Sequence, residues 1–177
     1  RWGVPGVSFP RPVHWAVLLF GEEAVDAELL GVRTGRATRG HRFHHPAAIE
    51  LVQPADYERL LLEPGHLVPE FADRQARIRE QVVAAGREVG GEADIDPDLL
   101  AEVTSLVEWP VALAGRFDRR FLDVPAEALV AVMKDHQKYF PVYDGDGGLL
   151  PAFVTVSNIA SADPEIVRHG NERVIEP

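Results

Sequence analysis

The segment PAEALVAVMKDHQKYFPVYDGDGGLLPAFVTVSNI, residues 125–159, decides the fold class because it changes from helical to extended periodicity within one stretch. Its first part carries apolar side chains at helical spacing, which predicts a helix that buries Ala126, Leu129, Val130 and Met133. Residues 139–143 then extend, residues 144–148 form a hairpin turn rich in Asp and Gly, and residues 152–159 extend again. A helix that is followed by a β-hairpin does not fit a regular βαβ repeat, so this segment favours a mixed α+β arrangement.

Outward from this segment, helical and extended stretches alternate irregularly. Further strands are predicted at 14–20, 27–32, 47–52 and 111–117, the first of them buried and paired with the second. Further helices are predicted at 54–62 and 69–89, after Asp96-Pro97, and after Asp163-Pro164, whereas residues 1–12 are irregular. With 177 residues and 46% hydrophobic content, the chain is large enough for a sizeable core. We therefore predict a single compact α+β domain over residues 1–177, with a mixed β-sheet and several packed helices.

Composition excludes several classes of protein. The 18 basic and 28 acidic residues leave a net charge of −10, which excludes a uniformly basic nucleic-acid-binding protein. The absence of cysteine excludes disulfides, thiolate metal sites and a cysteine nucleophile. The apolar run at 15–20 is far shorter than the roughly 20 residues that cross a bilayer. Because the chain starts with Arg1 and shows no targeting signal, we expect an internal piece of a longer cytoplasmic protein.

Positive charge is concentrated in residues 33–45, which we call the basic segment. It contains no acidic residue, and its basic and histidine residues are Arg33, Arg36, Arg39, His41, Arg42, His44 and His45. Arginine has the planar fork that binds phosphate oxygens, so one interpretation is an RNA or phosphate contact. The alternative is a solvated loop whose arginines pair with the surplus carboxylates.

The chain has only two lysines, Lys134 and Lys138, four residues apart at the end of the helix that starts at Pro125. A functional interpretation directs both ammonium groups toward a phosphate backbone, with Gln137 and Tyr139 beside them. The structural alternative is that the helix C-terminus attracts the two cations.

Other chemistry is not predicted. The three histidines of the basic segment lack a local acidic ligand, and residues 144–148 fit a hairpin turn better than a calcium loop. The sequence also lacks a nucleophile motif and a glycine-rich phosphate cradle. We therefore predict neither catalytic residues nor a metal site in this chain.

Several strings, taken in order, closely resemble the beta subunit of bacterial glycyl-tRNA synthetase. They are RWG at 1–3, RPVH at 11–14, TRGHRF at 38–43, LVEWPV at 106–111, VPAEAL at 124–129, MKDHQKYFPVY at 133–143, NI at 158–159 and GNERV at 170–174. The resemblance covers essentially the whole chain.

This resemblance implies a place in a ligase of two alpha and two beta chains. The alpha chain resembles a class II catalytic core that activates glycine with ATP and magnesium, while the beta chain mainly handles tRNA. The segment is similar in kind to the editing-type domain of phenylalanyl-tRNA synthetase beta chains. The implied partners are tRNA(Gly), the alpha subunit and a second beta chain, without a membrane and without a cofactor in this segment.

We therefore expect a non-catalytic segment that contributes to tRNA binding or to subunit architecture. The candidate RNA-binding residues are Arg36, Arg39, His41, Arg42, Lys134 and Lys138. Two alternatives remain open: a purely structural module that packs neighbouring domains, and an editing-like hydrolase of mischarged tRNA.

Overall fold

Separate apolar cores organise the two parts of the chain. The computed structural model describes residues 13–175, so the predicted irregular segment at 1–12 lies outside the described residues. The mixed α+β class is confirmed. By its internal contacts the chain divides into two compact units, residues 1–69 and 70–177, and the predicted single domain over 1–177 stays a prediction. The physical reason for the two units is that each part buries its own set of apolar side chains.

The first unit is built from short strands and one helix. Within residues 13–69 the strands are β1 (Ala16–Val17), β2 (Leu19–Phe20), β3 (Glu23–Ala24), β4 (Glu28–Leu29), β5 (Val32–Gly35), β6 (Ala37–Arg39) and β7 (Ala48–Glu50). Strand β5 pairs in parallel with β1 and antiparallel with β4, while β2 pairs with β3 and β6 with β7. A 3-10 turn at Pro54–Asp56 leads into α1 (Tyr57–Leu62). The core of this unit contains Ile49, Leu51 and Leu61.

The predicted pairing of 14–20 with 27–32 is wrong. Residues 27–32 cross the turn between β4 and β5, where Leu30 and Gly31 both have positive φ angles. The partner of β1 is therefore β5. The stretch 14–20 is also not a buried strand, because it divides into β1 and β2 and leaves Phe20 81% exposed. The strand predicted at 47–52 and the helix predicted at 54–62 are confirmed.

The second unit contains a four-stranded antiparallel sheet. Its strands, in sheet order, are β8 (Glu92–Ala93), β10 (Phe140–Tyr143), β11 (Leu149–Ser157) and β9 (Val111–Arg116). Its helices are α2 (Phe71–Glu88), α3 (Pro97–Leu106), α4 (Ala126–Ala131) and α5 (Pro164–Ile175), with a 3-10 segment at Arg119–Asp123. The hairpin predicted from 139–159 is confirmed by the pairing of β10 with β11.

The central strand β11 supplies side chains to two apolar clusters, as the alternation of a strand requires. Ala152 and Val154 pack in the main core with α2 and α3. Phe153 lies in the second cluster, where its ring stacks on Tyr139 with the ring centroids 4.4 Å apart. Both faces of the sheet are therefore covered around β11.

Local signals set the ends of α2 and α3. Helix α2 stops just before Gly90, whose φ of 92° does not fit a right-handed helix. Helix α3 begins at Pro97. The residue before it, Asp96, caps the helix, because its carboxylate accepts hydrogen bonds from the N–H groups of Asp98 and Leu99. Both helices match the sequence prediction to within about two residues.

The helix predicted from Pro125 is confirmed, but its second half is a π-helical turn at Val132–Gln137. The predicted burial holds for Met133, whereas Ala126 is exposed. Within residues 13–175, the helices are all too short or too polar to traverse a bilayer.

Side chains from distant parts of the sequence join the elements of the second unit. Asn158 Oδ1 accepts hydrogen bonds from the N–H groups of Glu108 and Trp109. Tyr139, the residue before β10, donates its hydroxyl hydrogen to Asn171 Oδ1 at 2.8 Å, which links the start of this strand to α5. Several strings that carry the family resemblance thus meet in space.

Candidate nucleic-acid interface

The basic segment is held in shape by a close approach of two glycines. The N–H of His41 donates to the carbonyl oxygen of Gly65 at 2.7 Å. A Cβ placed on Gly40 would come closer than 3.0 Å to three backbone atoms of Gly65. Only a residue without a side chain allows this approach at position 40.

His41 is buried, with 1% exposure. Its ring Nδ1 accepts hydrogen bonds from the N–H groups of Phe43 and His44, each at 3.3 Å. These bonds fold the loop between β6 and β7 around the imidazole. The predicted phosphate contact by His41 is therefore corrected: its side chain organises the loop and does not reach the surface.

Arg36 also has a structural role. Its guanidinium group donates to the carbonyl oxygen of Leu51 at 3.1 Å and to that of Glu22 at 2.9 Å. These bonds connect the junction of β5 and β6, where Arg36 lies, to the β2–β3 turn and to the residue after β7. Arg36 stays a candidate for RNA contact only through the parts of its guanidinium group that these carbonyls leave uncovered.

Arg39 and Arg42 are exposed, and the part of the chain from 13 to 175 offers neither of them a carboxylate within ion-pair distance. The Arg39 guanidinium lies over the Trp15 ring, 5.9 Å from its centroid, and its Nη1 is 3.4 Å from the Pro46 carbonyl oxygen. Arg33 differs, because it pairs with Asp26 at 3.1 Å. The carboxylate-paired alternative therefore applies to Arg33, whereas Arg39 and Arg42 keep their charge available.

The histidines near these arginines pack against one another with their rings tilted by 34° and 32°. The His44 ring centroid lies 4.7 Å from that of His41 and 5.3 Å from that of His66. Burial, and then the proximity of His41 and His66, lower the pKa of His44. These surroundings therefore favour the neutral form of the His44 imidazole.

Lys134 lies in the second unit, where it binds two carboxylates. Its ammonium nitrogen is 2.7 Å from Asp94 and 3.2 Å from Asp96. The backbone N–H of Leu99, and next the Lys134 ammonium, lower the pKa of Asp96. Burial of the Lys134 ammonium opposes its charged form, but its bonds to both carboxylates outweigh this and raise the pKa of Lys134.

Lys138 is also paired within the second unit. Its ammonium nitrogen is 2.9 Å from a Glu102 carboxylate oxygen and donates to the carbonyl oxygen of Asp135 at 2.9 Å. Its φ of 59° is left-handed and ends the π-helical turn. Through these ion pairs both lysines hold α3 and the loop before it against the π-helical turn. The ion pairs give no support to the predicted role of the two lysines in phosphate binding.

Replacing Lys134 with methionine is expected to lower the free energy of unfolding by about 1 kcal/mol at pH 7, because Asp94 and Asp96 lose their shared cation. The Asp96 contribution is present above its unfolded pKa of about 3.9 and is lost as the pH falls through its lower folded pKa. The Lys134 contribution is present below its unfolded pKa of about 10.4 and is lost as the pH rises through its higher folded pKa.

Urea unfolding at several pH values checks this prediction. The difference between wild type and variant should be largest between about pH 5 and pH 10. Replacing Lys138 with methionine is the matched control, because that lysine has one carboxylate partner and its effect should be smaller. A difference that does not change with pH would contradict the ion-pair explanation.

The structure thus places Arg36, Arg39, His41 and Arg42 in the first unit and the two lysines in the second. Across residues 13–175 there is no group of three histidine or acidic side chains arranged to hold a metal ion. Sequence reasoning missed Trp15, which lies under Arg39. A tryptophan at the edge of an apolar run was the only available signal, and it did not indicate which arginine would approach it.

Comparison with known proteins identifies the family to which this chain belongs. The sequence model of the glycyl-tRNA synthetase beta subunit family matches residues 1–177, the whole chain. This chain belongs to that family. It is 54% identical over 177 residues to the glycine–tRNA ligase beta subunit of Hahella chejuensis, covering 100% of this chain and 26% of the relative.

Further members of the glycyl-tRNA synthetase beta subunit family give the same picture. Identity is 52% over 178 residues with the beta subunit of Marinobacter nauticus and 48% over 177 residues with that of Citrobacter koseri. In both cases all of this chain and 26% of the relative are covered. The chain therefore spans about a quarter of the length of the relatives it matches.

Proposed function

We propose that this chain is a non-catalytic part of a glycine–tRNA ligase and that it contacts tRNA through Arg39 and Arg42. The ligase reaction converts ATP, glycine and tRNA(Gly) into glycyl-tRNA, AMP and diphosphate. The observation that carries the proposal is that these two arginines remain exposed and without a carboxylate partner among residues 13–175.

The charge balance makes this observation informative. The chain has 28 acidic residues against 18 basic ones, so carboxylates are in excess. Between residues 13 and 69, the other two exposed arginines are paired, Arg33 with Asp26 and Arg59 with Asp56. Two neighbouring arginines that have no carboxylate partner among the described residues of such a chain are suited to bind an external polyanion. The polyanion releases counterions when the arginines bind it.

The proposed partners of this chain are those of its family. An alpha subunit holds ATP and magnesium and performs glycine activation, a second beta chain completes a tetramer of two alpha and two beta chains, and the complex works in the cytoplasm. This chain requires no cofactor of its own.

Replacing Arg39 and Arg42 together with alanine is expected to weaken tRNA(Gly) binding by the assembled ligase. Loss of two phosphate contacts should also reduce the slope of log K against log salt concentration by roughly two. The measurement is tRNA affinity at several salt concentrations, for example by fluorescence anisotropy.

A matched control removes two arginines that already have carboxylate partners. Replacing Arg33 and Arg59 with alanine changes the net charge of the same unit by the same amount. We expect a clearly smaller change of slope for this control. Equal slopes for wild type and the Arg39/Arg42 variant would contradict the proposed RNA contact.

A structural packing role is the second candidate, and the exposed aromatic side chains of the first unit favour it. Phe43 is 71% exposed and lies within the basic segment. If cross-links from residues 33–45 in the assembled enzyme reach only protein and never tRNA, the packing role is supported instead. The editing-like hydrolase stays an alternative. It would be supported if the assembled enzyme released a wrong amino acid from mischarged tRNA.

A further inference from the structure

We infer that the first unit contains a binding site for one unpaired RNA nucleotide, with the base stacked on Trp15 and its phosphate on Arg39; the inference rests on the proposed function. The site is a cavity of about 540 Å³ whose lining includes Trp15, Leu18, Thr38, Leu51 and Tyr57. We call it the Trp15 groove.

Two aromatic side chains line this groove and remain accessible. Trp15 is 43% exposed and Tyr57 is 41% exposed. Aromatic faces beside an apolar floor suit a nucleobase, because every base has a π-face that stacks on such rings. The volume is within the range of about 300–1,000 Å³ that is typical of small-molecule sites.

The charge beside the groove selects an anionic ligand. The Arg39 guanidinium lies over the Trp15 ring, 5.9 Å from the ring centroid, while 43% of the tryptophan stays exposed. A base that stacks on the part of the ring that Arg39 leaves open therefore has this cation beside it. The acidic residue next to Tyr57 in the chain, Asp56, is bound by Arg59 at 2.8 Å. An arginine that has no carboxylate partner among the described residues and lies on an exposed indole is complementary to a nucleotide, which carries both a phosphate and a base.

The concave shape favours an unpaired nucleotide over a duplex. In a paired A-form helix the bases are stacked inside and the protein meets mainly phosphates and 2′-hydroxyl groups. Only a base that has left the stack enters a groove and covers the Trp15 ring. Single-stranded positions of a tRNA, such as loops and the acceptor end, are the RNA elements that present such bases.

The test compares short labelled oligouridylate with an RNA duplex of equal length, both bound to the assembled ligase. Replacing Trp15 with alanine should weaken oligouridylate binding by about tenfold, a typical loss for one stacked base. Replacing Trp15 with phenylalanine should restore most of the affinity, whereas duplex binding should change little with either variant. Oligouridylate containing 4-thiouridine should cross-link to the peptides that carry Trp15 or Tyr57.

The matched control is replacement of Phe20 with alanine, because Phe20 is an exposed aromatic residue of the same unit that does not line the groove. Equal oligouridylate affinities for the Trp15→Ala and Phe20→Ala variants would overturn the nucleotide site. If the Arg39/Arg42 variant still weakens tRNA binding in that case, the proposed function stands alone. If neither the Trp15→Ala change nor the Arg39/Arg42 change weakens RNA binding, both the nucleotide site and the proposed function are overturned. Loss of the alpha subunit from the Trp15→Ala enzyme with unchanged RNA affinity would assign the groove to a protein contact and overturn the inference.

Discussion

Replacing Phe153 with alanine is expected to lower the free energy of unfolding by about 3–5 kcal/mol, the usual range for a large aromatic side chain removed from a core. Phe153 is fully buried on the central strand β11. Its ring stacks on Tyr139 with an interplanar angle of 10°, and a Cβ on Gly115, its partner in β9, would come closer than 3.0 Å to the ring. Truncation therefore leaves a cavity that the rigid sheet cannot close.

Urea unfolding followed by tyrosine and tryptophan fluorescence measures this loss. Replacing Phe71 with alanine is a suitable control in the same unit, because Phe71 lies at the exposed start of α2. We expect a loss of less than about 1 kcal/mol for that variant. Similar losses for the two variants would show that Phe153 does not hold the second cluster together.

Replacing Gly40 with alanine is expected to destabilise the first unit by about 3 kcal/mol, the upper part of the usual range for overpacking. The added methyl group would meet backbone atoms of Gly65, which cannot move aside as a flexible side chain does. If the two glycines move apart, the hydrogen bond from His41 to Gly65 breaks. The end of β6 with Arg39 and the following loop with Arg42 are then displaced.

Hydrogen exchange at the His41 amide reports on this contact directly and should become faster in the variant. Urea unfolding gives the accompanying loss of stability. Replacing Gly35 with alanine is the control, since a Cβ there meets no atom within 4 Å, and its effect should stay within about 0.5 kcal/mol. If the His41 amide remains protected in Gly40→Ala, the glycine contact is not what shapes the basic segment.

The helices and the hairpin of the second unit were predictable because their signals are local. Capping by Asp96, the stop before Gly90 and the apolar periodicity of α2 all act within a few residues. The short strands of the first unit were harder. Strand β1 pairs with β5 across 18 positions, as between Ala16 and Thr34, and such long-range pairing leaves no periodic signal in two-residue strands.

The candidate site shows the same division. The clustering of arginines in residues 33–45 is visible in the sequence, but the partners that distinguish Arg33 from Arg39 are not. Lys134 illustrates the reason, since its carboxylate partner Asp94 lies 40 positions earlier in the chain. Ion pairs depend on which surfaces folding brings within a few ångströms, and charge counting does not contain that information.

The amino-acid sequence by itself determined the α+β class, the helices α2 and α3, the β10–β11 hairpin and the concentration of positive charge, because each depends on neighbouring residues. Only the tertiary structure decided that the chain forms two compact units, that His41 is buried, that both lysines are paired, and that Arg39 lies over Trp15. These properties depend on contacts between residues far apart in the chain, which form only when the fold brings them together.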